Sequence, residues 1–180
     1  MNSLIDLPFA IPTVVTGIML VALYGPNSLA GAFLGRHGIE VIFNKPGMII
    51  ALLYVSFPFV VRSVQPVLLE MDQVMEEAAK TLGASPRIIF FRIIIPTLLP
   101  AILTGAALSF SRALGEFGSI AIVAGNIPFK TQLASVYIYG EIESNNPQGA
   151  LGVSMVLLFC SFIILILLNR LQTWSRKHEQ

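Results

Sequence analysis

Long apolar stretches limit what this chain can fold into more than any other feature of its sequence. Four of them are almost free of charge, and they cover residues 7–24, 47–69, 97–124 and 149–168. About 20 consecutive apolar residues in a helix cross the hydrocarbon core of a bilayer. Only 12% of the residues are charged, whereas a soluble domain carries about 25%. The chain is therefore predicted to be an all-α membrane protein.

Prolines inside three of the stretches indicate how the helices are arranged. A proline leaves a backbone carbonyl of the preceding turn without its partner, and a span tolerates this where neighbouring helices supply one. The prolines are Pro8, Pro12, Pro58, Pro66 and Pro100. We expect a polytopic helical bundle of about four transmembrane helices, forming a single domain over residues 1–180.

The distribution of Lys and Arg predicts the orientation. One side of the membrane is expected to hold the loop after the second stretch and the C-terminal tail. The basic residues there, with Arg62 at the edge of the loop, are Arg62, Lys80, Arg87, Arg92, Arg170, Arg176 and Lys177. The opposite side contains Arg36, Lys45 and Lys130. Since loops rich in Lys and Arg stay in the cytoplasm, we expect a multi-pass protein of the plasma membrane with both termini in the cytoplasm.

Residues 70–96 form a charged connection between the second and third stretches. Its apolar residues recur at the spacing of one helix face: Met71, Val74, Met75, Ala78, Ala79 and Leu82. Gly83 then stops the helix, because a left-handed residue costs glycine little. Ser85 and Pro86 predict the cap and first residue of a second helix, which Pro96 is expected to end. The pattern predicts a helix-turn-helix elbow.

The first helix of this elbow has two possible interpretations. An amphipathic helix lying on lipid headgroups usually has a basic polar face, but this one has Asp72, Glu76 and Glu77 against Lys80. Anionic lipid would repel it. Docking against a protein is favoured, because the small side chain of Ala79 permits close approach and the carboxylates can accept hydrogen bonds from the partner.

The elbow resembles the EAA loop of ABC importer permeases. The matching residues are Glu77, Ala78, Ala79, Gly83 and, after Ile93-Ile94-Ile95, Pro96. The family often has Leu at the position of Ile95. The resemblance implies a MetI-like permease fold in which this loop, with Glu76 beside the motif, is a coupling helix. It also implies a cytoplasmic ABC ATPase subunit that receives the helix.

Further segments are similar to the sulfate/thiosulfate (CysT-type) and molybdate permeases. These are LSFSRALGEFG at residues 108–118, DLPFAIPTVVTG at 6–17 and FPFVVRSVQPVL at 57–68. The resemblance implies a permease subunit for sulfate or thiosulfate that works by alternating access. It further implies a second homologous permease subunit and an extracytoplasmic substrate-binding protein.

Other transport functions remain open at this point. Molybdate and tungstate permeases share the signature at residues 108–118. An ion-coupled secondary transporter would need an intramembrane carboxylate that is free to titrate, and Glu116 has Arg112 beside it. Members of the family usually have about six spans, so we expect that the first two are missing from this sequence.

Arg112 and Glu116 lie four residues apart in the third stretch, where they can form an ion pair. A lone charge in lipid costs at least about 2.5–3.5 kcal/mol, so both are expected to face the bundle interior. One interpretation makes Arg112, with Ser109 and Ser111, part of the route of an oxyanion, since a guanidinium presents a fork of donors. The favoured alternative is a structural ion pair, because Glu116 neutralises Arg112 and repels a dianion.

Several chemistries are not expected. The net charge of +1 argues against nucleic acid as a partner. His37 is not part of a recognisable metal-binding motif, and no metal or other cofactor is predicted. The sequence has no Gly-rich phosphate loop with its lysine, so ATP should be bound and hydrolysed by the partner subunit. Arg62 is expected to reach the headgroups from the end of its span.

Overall fold

Helices make up the regular structure of residues 3–177, which the computed structural model describes; side-chain contacts are described for residues 5–72 and 74–170. The helices are α1 (Ser3–Ala10), α2 (Thr13–Tyr24), α3 (Leu29–Arg36), α4 (Lys45–Glu70), α5 (Gln73–Thr81), α6 (Pro86–Ile89), a π-helical turn (Phe90–Ile94), α7 (Ile95–Leu114), α8 (Gly118–Val123), α9 (Ala134–Glu143) and α10 (Pro147–Lys177). The prediction of an all-helical bundle is confirmed.

Three continuous helical segments are long and apolar enough to cross a membrane among the described residues: Lys45–Glu70, Pro86–Leu114 and Pro147–Arg170. The predicted first span, 7–24, is instead divided at Pro12 between α1 and α2. With 12 residues, α2 is about 18 Å long, too short for a core of about 30 Å. It can belong to a fourth span only together with α3, to which it is bent by 59°.

The predicted third span, 97–124, also differs from the observed helices. Its helix begins earlier, at Pro86, and α7 ends at Leu114. Gly115 follows α7 as its C-cap, and α8 starts separately at Gly118. The apolar sequence after residue 114 therefore belongs to a short second helix. Hydropathy alone does not separate the two, because both are apolar.

Helices α4 and α7 pack with their backbones in contact. A Cβ at Gly105 would lie 2.6 Å from Cα of Val60 and 3.2 Å from the carbonyl oxygen of Phe59. Two serines tie the same pair of helices together. Ser63 Oγ donates to the carbonyl of Ala101 at 2.8 Å, and Ser109 Oγ donates to that of Ser56, also at 2.8 Å. Small residues that allow such approach are typical of helix pairs in membranes.

Helices α2 and α8 form the second close pair. A Cβ at Gly17 would meet the carbonyl oxygen of Ser119 at 2.9 Å. Around this contact the core consists of apolar side chains that are almost completely buried, including Leu20, Ala51, Ile120 and Val123. By contrast, none of the most apolar window of α10 is buried within the chain. That helix therefore offers its sides to lipid or to another subunit.

At the start of the chain, α1 is attached to α4 by an ion pair. Arg62 donates from Nε and Nη2 to Oδ1 of Asp6 at 2.9 and 2.6 Å, and its guanidinium lies 5.2 Å from the centre of the Phe9 ring. Phe9 also meets Phe59 edge-on at 5.1 Å. Arg62 was expected to reach the lipid headgroups. The structure shows in addition that it is paired with Asp6 of the same chain.

Replacing Gly105 with alanine is expected to destabilise the bundle. The added methyl group has to push backbone away from backbone, and overpacking of this kind costs about 1–3 kcal/mol. Gly152→Ala is the matched control, because this helical glycine has no atom within 4 Å of the added Cβ. Thermal unfolding of the two purified variants in detergent should show a lower midpoint for Gly105→Ala alone. Equal midpoints would contradict the backbone contact between α4 and α7.

Candidate functional site

The candidate coupling loop starts with α5, whose two ends are well defined. Asp72 caps the first turn by accepting from the backbone N–H of Val74 at 2.9 Å. At the other end Ala84 N–H donates to Ala79 O and Gly83 N–H to Lys80 O, both at 3.0 Å. This pair of bonds is a Schellman motif. Gly83 supplies the left-handed residue that the motif requires, with φ of +80°, as predicted.

The apolar face of α5 is not covered by the rest of the chain. Val74 is 64% exposed, Met75 54% and Leu82 87%. Ala78 is also exposed and Ala79 is half-buried. The helix makes close contact mainly with α6 across the elbow. We define the coupling face as Val74, Met75, Ala78 and Leu82; it is a short apolar stripe on a helix that stands away from the bundle.

The second half of the elbow leads directly into α7. Ser85 caps α6 by accepting from Ile88 N–H at 3.4 Å, and Pro86 takes the first turn. The prediction that Pro96 ends this helix is wrong, because the helix continues through it to Leu114. Pro96 has no N–H to give to the carbonyl four residues earlier. The turn just before it is π-helical, with Ile95 N–H bonded to Phe90 O.

Glu116 lies at the break between α7 and α8, and it is only 1% exposed. Its Oε2 lies 2.8 Å from Nη1 of Arg112. Its Oε1 accepts from both the backbone N–H and the hydroxyl of Ser119, at 3.0 and 2.9 Å. Its backbone carbonyl accepts from the hydroxyl of Ser135 at 2.8 Å. One residue therefore connects the end of α7, the first turn of α8 and the start of α9.

The four residues predicted for the ion pair or route do not form one polar surface. Arg112 and Glu116 are paired, and the side chain of Arg112 is about a third exposed, at 35%. Ser109 and Ser111 each donate their hydroxyl proton to a backbone carbonyl, that of Ser56 and that of Ala107. A hydroxyl whose proton is used in this way has no donor left for an oxyanion. These contacts favour the structural interpretation of the pair.

Ser119 and Ser135 were missed as members of this site. A carboxylate three residues before a serine, at a helix start marked by Gly118, resembles a helix cap, which is a weak signal inside a continuous apolar stretch. Ser135 is 19 residues away in sequence and gives no local signal. Among the described residues no group of three or more His, Cys, Asp or Glu is arranged to hold a metal ion.

Two tyrosines of α9, outside the three continuous spans, lie four residues before a glutamate. Side-chain hydrogen bonds raise the pKa of Tyr137 through Glu141 and the pKa of Tyr139 through Glu143; the negative charge of each carboxylate and desolvation add to the effect. Glu141 also accepts from the side-chain amide of Asn146 at 2.6 Å. The phenols therefore stay protonated at neutral pH and act as hydrogen-bond donors.

Removing Arg112 should destabilise the protein strongly, because Glu116 then remains buried with an uncompensated charge. Breaking a buried pair costs about 3–5 kcal/mol, and the partial exposure of Arg112 places the loss at the lower end. Arg112→Ala with Glu116→Gln should recover most of this stability, since the glutamine Oε1 can still accept both bonds from Ser119. The midpoint of thermal unfolding and the amount of folded protein in the membrane measure the effect. A double variant as unstable as Arg112→Ala alone would contradict the structural role.

Comparisons with known proteins agree with this architecture. Residues 1–178 match the family described as "Binding-protein-dependent transport system inner membrane component". The chain is 45% identical over 177 residues to a probable sulfate transport system permease protein cysT of Nephroselmis olivacea. It is also 45% identical over 178 residues to the sulfate transport system permease protein CysT of Synechococcus elongatus.

The chain covers only part of these relatives. The alignments include 98% and 99% of this chain but 62% and 64% of the Nephroselmis and Synechococcus proteins. Among solved structures, a chain of the MetNI methionine ABC transporter in an inward-facing conformation superimposes with a TM-score of 0.71, over 97% of this chain and 73% of that chain, at 18% identity. The latter match shows the fold and confirms the MetI-like architecture.

Because the family match includes nearly every residue and the fold agrees with it, this chain belongs to the binding-protein-dependent transport system inner membrane components.

Proposed function

We propose that this chain is the permease subunit of an ATP-driven importer of sulfate or thiosulfate. The observation that carries the proposal is the identity of 42–47% to proteins named sulfate transport permeases, extending over nearly the whole chain. The aligned region extends over up to 178 residues, so it spans both the coupling loop and the segment around Glu116. The description of the family adds dependence on a separate binding protein.

In this proposal α5 is the part that receives movement from a cytoplasmic ABC ATPase. Its coupling face exposes Val74, Met75 and Leu82, and an apolar stripe on a helix is suited to a groove in a partner. Helix α6, the π-helical turn and α7 form one uninterrupted helical segment from Pro86 to Leu114. A displacement of the elbow is thereby passed to the contact between α7 and α4 at Gly105.

The membrane part supplies the passage. The ion pair of Arg112 and Glu116 has no excess positive charge and its carboxylate is buried, so it is suited to holding α7 and α8 together. Selectivity then resides mainly with the extracytoplasmic binding protein. The three or four candidate spans among the described residues form one side of the passage in this proposal, and a second homologous permease subunit completes it.

An uptake assay tests the proposal. Cells that contain the permease complex should accumulate radiolabelled sulfate or thiosulfate, and excess unlabelled sulfate should abolish the signal. Accumulation of molybdate or tungstate with no sulfate uptake would contradict the proposed substrate. Uptake that persists without an ATPase subunit and follows an ion gradient would contradict the proposed energy source.

Ala78→Leu should weaken attachment of the ATPase without disturbing the permease. Ala78 is exposed on α5, and leucine is a good helix former, so only an approaching partner meets the added volume. We expect about tenfold less ATPase on the purified complex at equal permease level, which corresponds to about 1.4 kcal/mol, and a matching fall in sulfate uptake. Ala30→Leu on α3 is the control, because it makes the same change at another exposed helical position. Full retention of the ATPase by Ala78→Leu would mean that α5 is not the docking helix.

The uneven distribution of Lys and Arg predicts that the coupling loop and the C-terminus lie in the cytoplasm. A reporter enzyme that is active only outside the cytoplasm, fused after Gln180, should therefore remain silent. The same reporter inserted after Phe129, in the connection between α8 and α9, should be active. The reverse pattern would overturn this orientation and the assignment of α5 as the ATPase contact.

A further inference from the structure

Two loops on the side opposite to the coupling loop form one continuous surface. Residues 37–44 lead into α4, and residues 124–133 connect α8 to α9. Phe43 N–H donates to the carbonyl of Val123 at 2.9 Å, and the ring of Phe43 lies against Gly125. Between the loops is an open depression of about 450 Å³, whose lining includes Glu40, Lys45 and Lys130.

Phe129 projects from this surface, and its backbone is held in an unfavourable conformation. The side chain is fully exposed, at 109% of its reference area, and φ is +60°. A left-handed residue other than glycine costs roughly 1–2 kcal/mol. An apolar ring that buries nothing does not offset such a cost in the isolated chain, so an observed outlier of this kind is a reason to look for a function.

The loop that carries Phe129 is fixed by its neighbour Thr131, which is 1% exposed. The Thr131 hydroxyl donates to Ala124 O at 2.5 Å and accepts from Ile127 N–H at 3.2 Å. Ile127 O in turn accepts from the N–H groups of Lys130, Thr131 and Gln132, at distances from 2.9 to 3.2 Å. The backbone that carries the ring is thus held in place before any partner arrives.

The charge of the surface indicates what it binds. Within the described part of the chain, Lys45 and Lys130 take part in none of the ion pairs. The carboxylate of Glu40 accepts from the side-chain amide of Asn44 at 3.1 Å. Arg36 lines a second depression that shares Glu40. Three cations and one carboxylate therefore line the two depressions, and their summed charge is positive.

We propose that this surface, defined as Lys45, Phe129 and Lys130, is where the extracytoplasmic binding protein docks, with acidic side chains against the two lysines and an apolar pocket for the ring. The inference rests on the proposed function and its orientation. Lipid is a poorer occupant, because a fluid headgroup layer gains nothing from a loop whose backbone is held in one strained conformation. A structured pocket does gain, since the cost of ordering the loop has already been met.

Binding between purified components tests the inference. The permease with its partner subunits is placed in nanodiscs of zwitterionic lipid, and the sulfate-loaded binding protein of the same cell is titrated onto it. Phe129→Gly removes the ring and also relieves the backbone, because glycine adopts positive φ readily. We expect about tenfold weaker binding, as for a hot-spot residue, with unchanged or higher thermal stability and unchanged ATPase content. Phe129→Trp should retain most of the affinity.

The lysines are tested by reversing their charge. Lys45→Glu with Lys130→Glu should weaken binding at least as much and should reduce the dependence of binding on salt, since screening acts on the charge pairs that are removed. Lys45→Arg with Lys130→Arg is the matched control and should bind like the original. Both sets of variants leave the coupling loop and Glu116 unaltered.

Each outcome decides between distinct conclusions. An unaltered complex that captures no binding protein overturns the proposed function and this inference together. An unaltered complex that captures it, with Phe129→Gly and the charge-reversed variant binding equally well, overturns only the assigned surface. Variants that lose affinity for vesicles of anionic lipid but keep the binding protein identify a lipid contact instead. A change in subunit stoichiometry on Phe129→Gly identifies a contact between permease chains. Either result overturns the inference.

Discussion

The buried carboxylate of Glu116 is the interaction on which the arrangement of the bundle depends. In a low-dielectric interior an ionised carboxylate is stable only when charge and hydrogen bonds compensate it. Arg112 supplies the charge at 2.8 Å, and Ser119 supplies two donors. These partners come from both sides of the break after Leu114. The direction in which α8 leaves α7 is therefore set by the need to bring these partners to the Glu116 carboxylate.

That direction brings α8 against α2, where the second close helix contact forms. Gly17 permits the approach on one side, and the buried side chains of Ile120 and Val123 complete the core on the other. The other close contact, at Gly105, joins α4 to α7 independently of the carboxylate. Together the two contacts hold α2 against α8 and α4 against α7. Helix α5 takes part in neither contact, and its apolar side chains remain exposed.

The sequence was most informative where a single physical requirement dominates. Hydropathy predicted α4 and α10, because spans have to be apolar over their whole length. Periodicity and Gly83 predicted α5, whose Schellman turn needs a residue with positive φ. The divisions at Pro12 and after Leu114 were not predicted, since apolar residues continue through both. The ion pair was predicted from its spacing, but the partners that explain its burial lie on other helices.

Contacts between residues far apart in the chain account for most of what was missed at the site. In one of the two interpretations of this stretch Ser109 lines a route, yet it donates to a carbonyl of α4 that no local pattern reveals. Arg62 pairs with Asp6 across 56 residues, a separation at which spacing rules give no information. Pro96 was expected to end a helix because its effect on the preceding carbonyl is usually disruptive, but here a wider turn absorbs it.

That wider turn has a consequence for how the segment can change in length. A π-helical turn holds one residue more than the α-helical turn it replaces, so Phe90–Ile94 offsets the register between the Gly83 elbow and Gly105. Deleting one residue there would restore a regular helix and rotate the elbow by about 100° around the axis of α7. The number of residues in this segment, rather than the nature of its side chains, therefore determines on which side of the molecule α5 emerges.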